Sequence, residues 1–446
     1  MMGFVIPSLL QSLMQTKKLY KMPKNWKTYK LRDIASIKII DGDRGKNYPS
    51  KNEFSEKGYC LFLSAKNITK TGFEFSELSF ISEDKDNLLG KGKLNINDVI
   101  LTTRGTVGNV GFYKEAFSIK NVRINSGMVI IRVDEKETSS SYIYQTIKSP
   151  IFQEQISSRT SGSAQPQLPI RDLNYIEITL PPLQEQKAIA SILSALDDKI
   201  ELNLQMNKTL EEMATALYKH WFVDFGPFQY GKFVESELGM IPEGWEVKRL
   251  DEVARKKSDT FKFSGKDDVV FVNTGDVQEG RFLHSNKISK EGLPGQAKKA
   301  IAKEDILYSE IRPKNKRYAY VNFNSSDYVV STKFMIINPK PNILNRLLYR
   351  ILTMQSTVDN FNSIAEGRSG TFPQITFDAI SEMQIILPPL NIQQEFQNIV
   401  SPIELQQDEL YLENQTLTTL RDTLLPKLIS GEVRVKDIEQ MVAAAL

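Results

Sequence analysis

Arginine, lysine, asparagine and glutamine side chains can pair with base edges, while hydroxyls and backbone amides can hold phosphates. In this 446-residue chain such groups gather in loops that occur twice. Asp98-Val99-Ile100-Leu101-Thr102-Thr103-Arg104-Gly105 is matched by Asp305-Ile306-Leu307-Tyr308-Ser309-Glu310-Ile311-Arg312-Pro313, with the arginine displaced by one. Each time a strand delivers an arginine into a loop. The first loop continues as Thr106-Val107-Gly108, small and open enough to approach a phosphate. The second continues as Lys314-Asn315-Lys316-Arg317, a dense basic run. Further along come Ser158-Arg159-Thr160-Ser161-Gly162 with Gln165 and Gln167, and Gly367-Arg368-Ser369-Gly370 with Gln374. A single loop arginine is usually just solvated. Recurrence at matching places makes Arg104, Thr106, Arg159, Gln165, Gln167, Arg312, Lys314, Lys316, Arg317, Arg368 and Gln374 the candidate nucleic-acid contacts.

Catalytic constellations are not visible beside them. Gly275 and Gly280 have the glycine spacing of a phosphate-binding loop, but Arg281 follows instead of Lys. There is no Asn/Asp-Pro-Pro-aromatic motif to hold an amino group for methyl transfer, and no Gly-x-Ser-x-Gly. Asp41-Gly42-Asp43-Arg44-Gly45 lacks the later ligands of a calcium loop and reads as a polar turn. Two histidines, His220 and His284, and one cysteine are too few for a zinc site of the Cys/His kind. His220 falls at a helix end beside Trp221, and Cys60 lies in an apolar run as a core thiol. The lone cysteine excludes an internal disulfide framework and fits a reducing cytoplasm. No apolar run is long enough to span a membrane. The chain reads as a binder rather than an enzyme.

The elements that position these loops are also duplicated. Met22-Pro23-Lys24-Asn25-Trp26 through Ala35 is echoed by Ile241-Pro242-Glu243-Gly244-Trp245 through Ala254, and Leu180-Pro181-Pro182-Leu183 by Leu387-Pro388-Pro389-Leu390. A repeat of this size means two similar bodies in one chain. The first half of each repeat shows short β-like runs, at 98–101, 127–131, 305–308 and 334–337. A helix-like stretch follows in each, near 142–157 and 345–362. This predicts an α+β globule with a mixed or antiparallel sheet.

The second half of each repeat is helical. Leu193, Leu196, Ile200, Asn203, Asn207, Leu210, Ala214, Leu217 and Trp221 step alternately by three and four, a heptad seam. Adding 207 gives Val400, Ile403, Gln407, Leu410, Asn414, Leu417, Arg421, Leu424 and Leu428. Two such seams are expected to pack as an antiparallel pair, with Asn207 and Asn414 fixing register at a cost in stability. Leu196, Ile200, Leu210, Leu217, Leu410, Leu417 and Leu424 are the apolar core of this spacer. Gly226-Pro227 and Ser430-Gly431 are the expected stops. A helix of about 38 residues would make a rod of nearly 60 Å.

Net charge is only +3, yet it is unevenly spread. Residues 182–225 hold four Lys/Arg against seven Asp/Glu, and residues 390–430 hold two against six. The globular parts are therefore basic and the helical frame acidic. That distribution points to a polyanion at the globules and another partner at the frame.

Taken together, the layout over residues 22–435 resembles the specificity (S) subunit of type I restriction–modification enzymes. The resemblance rests on Leu180-Pro181-Pro182-Leu183-Gln184-Glu185-Gln186-Lys187, on Trp221-Phe222-Val223-Asp224-Phe225 and on Leu424-Leu425-Pro426-Lys427-Leu428-Ile429-Ser430-Gly431-Glu432-Val433. The Pro-x-x-Trp-x-x-x-x-Leu openings at Pro23 and Pro242 also fit. It departs where Pro388-Pro389-Leu390 runs into Asn391-Ile392-Gln393-Gln394-Glu395, so the two docking surfaces are expected to differ.

The resemblance implies two α/β target recognition domains separated by two long helices in a pseudo-twofold repeat. Each domain would read half of an asymmetric double-stranded DNA site. No cofactor is expected on this chain. S-adenosylmethionine would belong to two methyltransferase (M) subunits, and ATP and Mg to the assembly with restriction (R) subunits. The expected boundaries are a leader at 1–21, a first domain at 22–181, a spacer and linker at 182–240, a second domain at 241–388, a C-terminal spacer at 389–433 and a tail at 434–446. The rival reading is a non-catalytic adaptor with two protein-binding heads. An RNA binder is disfavoured by the absence of an aromatic-rich recognition sheet motif.

Overall fold

The computed structural model describes residues 22–117, 119–162, 165–438 and 440. The expected leader at 1–21 lies outside them. The chain divides into two compact units. One runs to Gln205 and resumes at Leu410; the other spans Met206–Glu409.

In the first unit a four-stranded antiparallel sheet has the order Ile37–Asp41, Met128–Val133, Val99–Thr102, Val110–Phe112. A three-stranded sheet pairs Phe80–Ile81 with Cys60–Leu63, and Cys60–Leu63 with Val122–Ile124; the last pair is parallel. Within Met128–Val133 the run 128–131 is unbroken and apolar because both of its faces are covered. Val129 and Ile131 join one core with Tyr142, Ile143 and Phe152, while Met128 and Ile130 join another with Leu61, Leu63 and Ile124. Cys60 is fully buried, and burial pushes its thiol up to about 12.

The second unit repeats the plan. Its antiparallel sheet runs Ala254–Lys257, Phe334–Pro339, Ile306–Ser309, Tyr318–Tyr320. A second sheet holds Lys287–Ser289, Asp268–Val272, Tyr328–Ser331 and Ala297–Ala300, with Asp268–Val272 parallel to Tyr328–Ser331. Met335 and Ile337 face one core, and Phe334 and Ile336 the other.

The single helix expected near Tyr142–Ser157 is two, Ser140–Lys148 and Pro150–Arg159. Ser149 precedes proline and takes an extended conformation (φ −63°, ψ 146°), which ends one helix and caps the next. The equivalent stretch in the second unit also splits, into Asn345–Thr353 and Gln355–Arg368, at Met354 (φ −55°, ψ 141°). No proline is present there, so sequence alone gave no sign of the break.

Two long helices, Leu183–Phe222 and Leu390–Ser430, each contribute one portion to each unit. Within the first unit, Lys199 meets Glu413 (3.2 Å) and Asp197 meets Arg421 (3.1 Å), so the two helices run antiparallel. Within the second, Tyr218 and Phe222 pack on Phe396, while Glu211 accepts from Gln407 (3.3 Å). The seams also face the globules. Leu193, Leu424 and Leu428 share a core with Tyr142 and Leu173, and Ala214 and Val400 share one with Leu348 and Phe361. Asn414 accepts from the Asn203 amide (2.9 Å) and donates to the Ile200 carbonyl (3.2 Å). Asn207 contributes its backbone carbonyl to Gln407 instead (3.4 Å). The register contact in the first unit is therefore Asn203–Asn414, and Asn207 is not the partner of Asn414.

The first helix ends at Phe222, before the expected Gly226-Pro227 stop. Phe225 turns left-handed (φ 50°) and packs against Trp245 and Phe233. The second helix stops as expected: Gly431 takes φ 79°, and Val433 donates back to the Lys427 carbonyl (3.1 Å). Past it, Val433 and Ile438 are buried in the first unit's core, and Arg434 bonds Glu185 and lies over the Trp26 ring. The described part of the expected tail is thus a structural element.

Candidate nucleic-acid interface

In the first unit Val99–Thr102 runs into the loop Thr103–Gly108. Asp98, just before the strand, is buried and clamped by Arg132 (2.7 Å). After the strand, Leu168 donates to the Thr103 carbonyl (2.8 Å) and Gly105 to the Pro166 carbonyl (3.0 Å). These bonds make a β-bridge between Arg104 and Gln167. Two candidates 63 positions apart in sequence thus become neighbours. They line a cleft of about 190 Å³ with Asp41, Arg44 and Pro169.

The Arg104 guanidinium makes no hydrogen bond or ion pair among the described residues. Thr106 is exposed, with its hydroxyl 3.4 Å from the Ala65 carbonyl. Gln165 is exposed in the same loop as Gln167. Arg159 differs: it turns onto its own helix end and bonds the Gln155 carbonyl (3.0 Å). That is a capping role, which the Ser-Arg-Thr-Ser-Gly pattern did not reveal.

The second unit builds the same junction. Asp305 is buried and held by Lys257 (3.0 Å) and Asn338 (2.6 Å). Ile306–Ser309 exits into a loop whose Arg312 amide donates to the Pro373 carbonyl (3.0 Å). The β-bridge here is Ile311 with Gln374. Ile311 therefore takes the place of Arg104, and Arg312 lies one residue beyond, exposed. Arg312, Lys314, Lys316 and Arg317 all sit on or beside the 3₁₀ turn Pro313–Asn315. Lys314 approaches Glu366 (3.8 Å), Lys316 approaches Glu279 (3.5 Å), and Arg317 reaches the Thr274 hydroxyl (3.5 Å). Arg368 is exposed at its helix end.

Sequence inspection missed several neighbours of these loops. Arg44 stands in the first cleft, bonded to Asp41 (3.1 Å) and to the Ser126 carbonyl (3.2 Å). Its turn is fixed by Asp43, whose carboxylate accepts from the Gly45 and Gly90 amides and is held below its usual value by the bond from Gly45. In the second unit Lys256 approaches Glu310 (3.9 Å), and Glu310 donates its amide to Lys333. Lys299 lies in the same field: burial lowers its ammonium, Glu310 opposes this, and Lys256 and Lys333 add to it. Strand position alone gave no hint that three lysines would converge.

Gln186 and Gln393, placed alike after the paired prolines, brace the two junctions with the long helices. Gln186 donates to the Pro181 carbonyl and accepts from the Ser139 amide; Gln393 donates to Pro388 and accepts from Leu344. The differing text around them leaves this contact unchanged.

Chemically, these junctions offer arginine, lysine, glutamine and hydroxyl groups on loops carried by rigid sheets. Among the described residues no group of histidine, cysteine and carboxylates could hold a metal ion. No helix among them is long and apolar enough to cross a membrane.

Comparison with known proteins bears on the same regions. The family model described as "Type I restriction modification DNA specificity domain" matches residues 23–212 and 242–419. The type I restriction enzyme HindI specificity subunit of Haemophilus influenzae is 46% identical over 177 residues, which cover 40% of this chain and 38% of that protein. The type I restriction enzyme MjaIX specificity subunit of Methanocaldococcus jannaschii is 28% identical over 442 residues, 94% of this chain and 96% of that protein. In fold, the chain is similar to the crystal structure of a type I restriction-modification S subunit from M. genitalium, with TM-score 0.58, 16% identity and coverage of 92% and 98%.

Proposed function

The chain belongs to the type I restriction-modification DNA specificity family, and we propose that its two globules read the two halves of one asymmetric double-stranded DNA site. The observation that carries this is the repeated junction: in each unit a β-bridge ties the strand-exit loop to the loop before the long helix, at Arg104–Gln167 and at Ile311–Gln374. Basic and amide side chains thereby gather on a rigid support twice in one chain. Phosphate contacts would supply affinity that falls with salt. Base contacts would supply choice. Because the loops differ in composition, the two half-sites differ.

Methyl transfer and cleavage are assigned to other subunits. Two methyltransferase subunits, carrying S-adenosylmethionine, would dock on the acidic long helices, and restriction subunits would add ATP- and Mg-dependent steps. Exposed apolar residues on those helices support docking there: Leu202, Leu204 and Met213 on the first, and Ile399, Leu405 and Leu412 on the second. The helices would set the gap between the half-sites.

Selection from a pool of random duplexes, using the chain assembled with its methyltransferase partners, tests the proposal. One split, asymmetric sequence is expected, with binding that weakens steeply as salt rises. An unenriched pool alongside intact partner binding would leave the two-headed protein adaptor instead.

A further inference from the structure

The loops that leave the two sheets can be aligned by strand register. In the first unit Leu101 pairs with Val110; in the second, Tyr308 pairs with Tyr318. Counting back two residues from each second partner gives Gly108 and Lys316. Counting forward one from each β-bridge gives Gly105 and Arg312. All four are left-handed: φ is 77° at Gly105, 97° at Gly108, 45° at Arg312 and 52° at Lys316. Glycine fills both positions in the first unit at no steric cost. In the second unit both are filled by basic residues with a Cβ, in a conformation L side chains rarely adopt.

Strain of this kind persists only where something else requires it. The turn itself does not need these side chains. Arg312 is held through its backbone, donating to Pro373 and accepting from Asn315 (2.9 Å). Lys316 donates its amide to Pro313 (2.8 Å), and its ammonium lies 3.5 Å from Glu279, itself 58% exposed. An exposed pair at that distance is weak. Glycine could keep every backbone bond. In the first unit the reverse change at Gly108 would be strained at φ 97°, and a Cβ would come within 2.7 Å of the Gln153 side-chain oxygen, which would have to move.

We propose that Arg312 and Lys316 determine base choice in the second globule, and that the half-site it reads contains guanine, the base whose O6 and N7 accept from arginine and lysine. The first globule has glycines at both positions and leaves choice to Arg104 and Gln167. This rests on the DNA-binding reading above.

The test uses the full chain with its methyltransferase partners, as wild type, Arg312→Gly, Lys316→Gly and the double variant. Each is melted and then used to select from a random duplex pool. The glycine variants are expected to melt at or above the wild-type temperature. They should lose preference for guanine in one half-site by roughly ten- to a hundredfold, with the other half-site unchanged. If wild type selects a split site and the double variant selects the same one equally well, the inference fails while DNA recognition stands. If wild type selects nothing, DNA recognition itself fails and takes the inference with it. Equal weakening on every sequence would make both residues phosphate contacts and overturn their role in base choice. Should a glycine variant melt early, Arg312→Asn serves, because asparagine tolerates the left-handed region. Retained guanine preference in that variant would overturn the assignment of Arg312; its loss would support it.

Discussion

Asp86 shows how one buried carboxylate ties a helix to a strand in the first unit. It is fully buried in the first unit, bonded to Lys93 (2.6 Å) and to the Arg123 guanidinium. Arg123 also donates to the Lys91, Asp86 and Leu89 carbonyls and so ties the segment after Glu83–Leu88 to the strand Val122–Ile124. Burial alone would raise the Asp86 carboxyl, but bonds from Lys93 and Arg123 prevail and keep it below its ordinary 3.8. Its contribution is therefore complete at neutral pH and is lost as pH falls below about 4. Asp86→Asn strands a buried guanidinium and is expected to cost about 3–5 kcal/mol in urea unfolding at pH 7. The variant should also lose less stability than wild type between pH 5 and pH 3. Equal midpoints at pH 7 would show the pair to be dispensable. Asp86 and Arg123 could not be matched from sequence, since only folding brings residues 37 positions apart into contact. The same limit hid Arg44 and the cluster of Lys256, Lys299 and Lys333. Arg104, Arg312 and Gln374 were legible because the repeat presents each loop twice.

Among the elements, the long helices were the most legible, because a heptad seam is a local pattern that tertiary context here reinforces. Their polar contact was not, because register depends on which residues meet across two segments about two hundred positions apart. The observed contact joins Asn203 to Asn414, both buried. Asn414→Leu alone removes its bonds with Asn203 and with the Ile200 carbonyl and is expected to cost about 2 kcal/mol. Replacing both asparagines by leucine removes two desolvated amides and should be neutral or stabilising by up to about 2 kcal/mol. A double-mutant cycle from urea unfolding is then expected to give at least about 2 kcal/mol of coupling. Additive effects would show that each asparagine is tolerated separately and that register rests on the ion pairs alone. Strand positions were legible to within a residue or two, since the runs 128–131 and 334–337 are apolar on both faces. The break at Met354 left no sequence signal, as no proline follows it and no side chain caps the helix it opens.

For the whole molecule, each globule carries its own set of docking groups for its portion of the helical frame. In the second unit these are the Trp245 ring against Phe222 (5.9 Å), Arg350 against Glu404 (3.3 Å) and Arg281 against Asp408 (2.9 Å). In the first, Trp26 donates to Glu185 (3.0 Å), and the segment after the second long helix packs beside it through Val433 and Arg434. Val433 and Arg434 thus do for the first globule what Phe225 and Phe228, after the first helix, do for Trp245. Since the docking groups are distinct from the loops that carry Arg312 and Gln374, the proposed recognition is expected to be separable from docking. Replacing residues 241–387 by the equivalent domain of another family member, with Trp245, Arg281 and Arg350 retained, is expected to give a folded chain that assembles with the same partners. Its methylated sites, mapped by sequencing modified adenines, should keep the half-site read by the first globule and change the other. A graft that loses both Arg346 and Arg350 leaves the buried Glu404 without a cationic partner and is expected to cost about 3–5 kcal/mol, seen as a lower melting temperature before any change in target. If the faithful graft alters both half-sites, the two globules do not read independently, and base choice must depend on the frame they share.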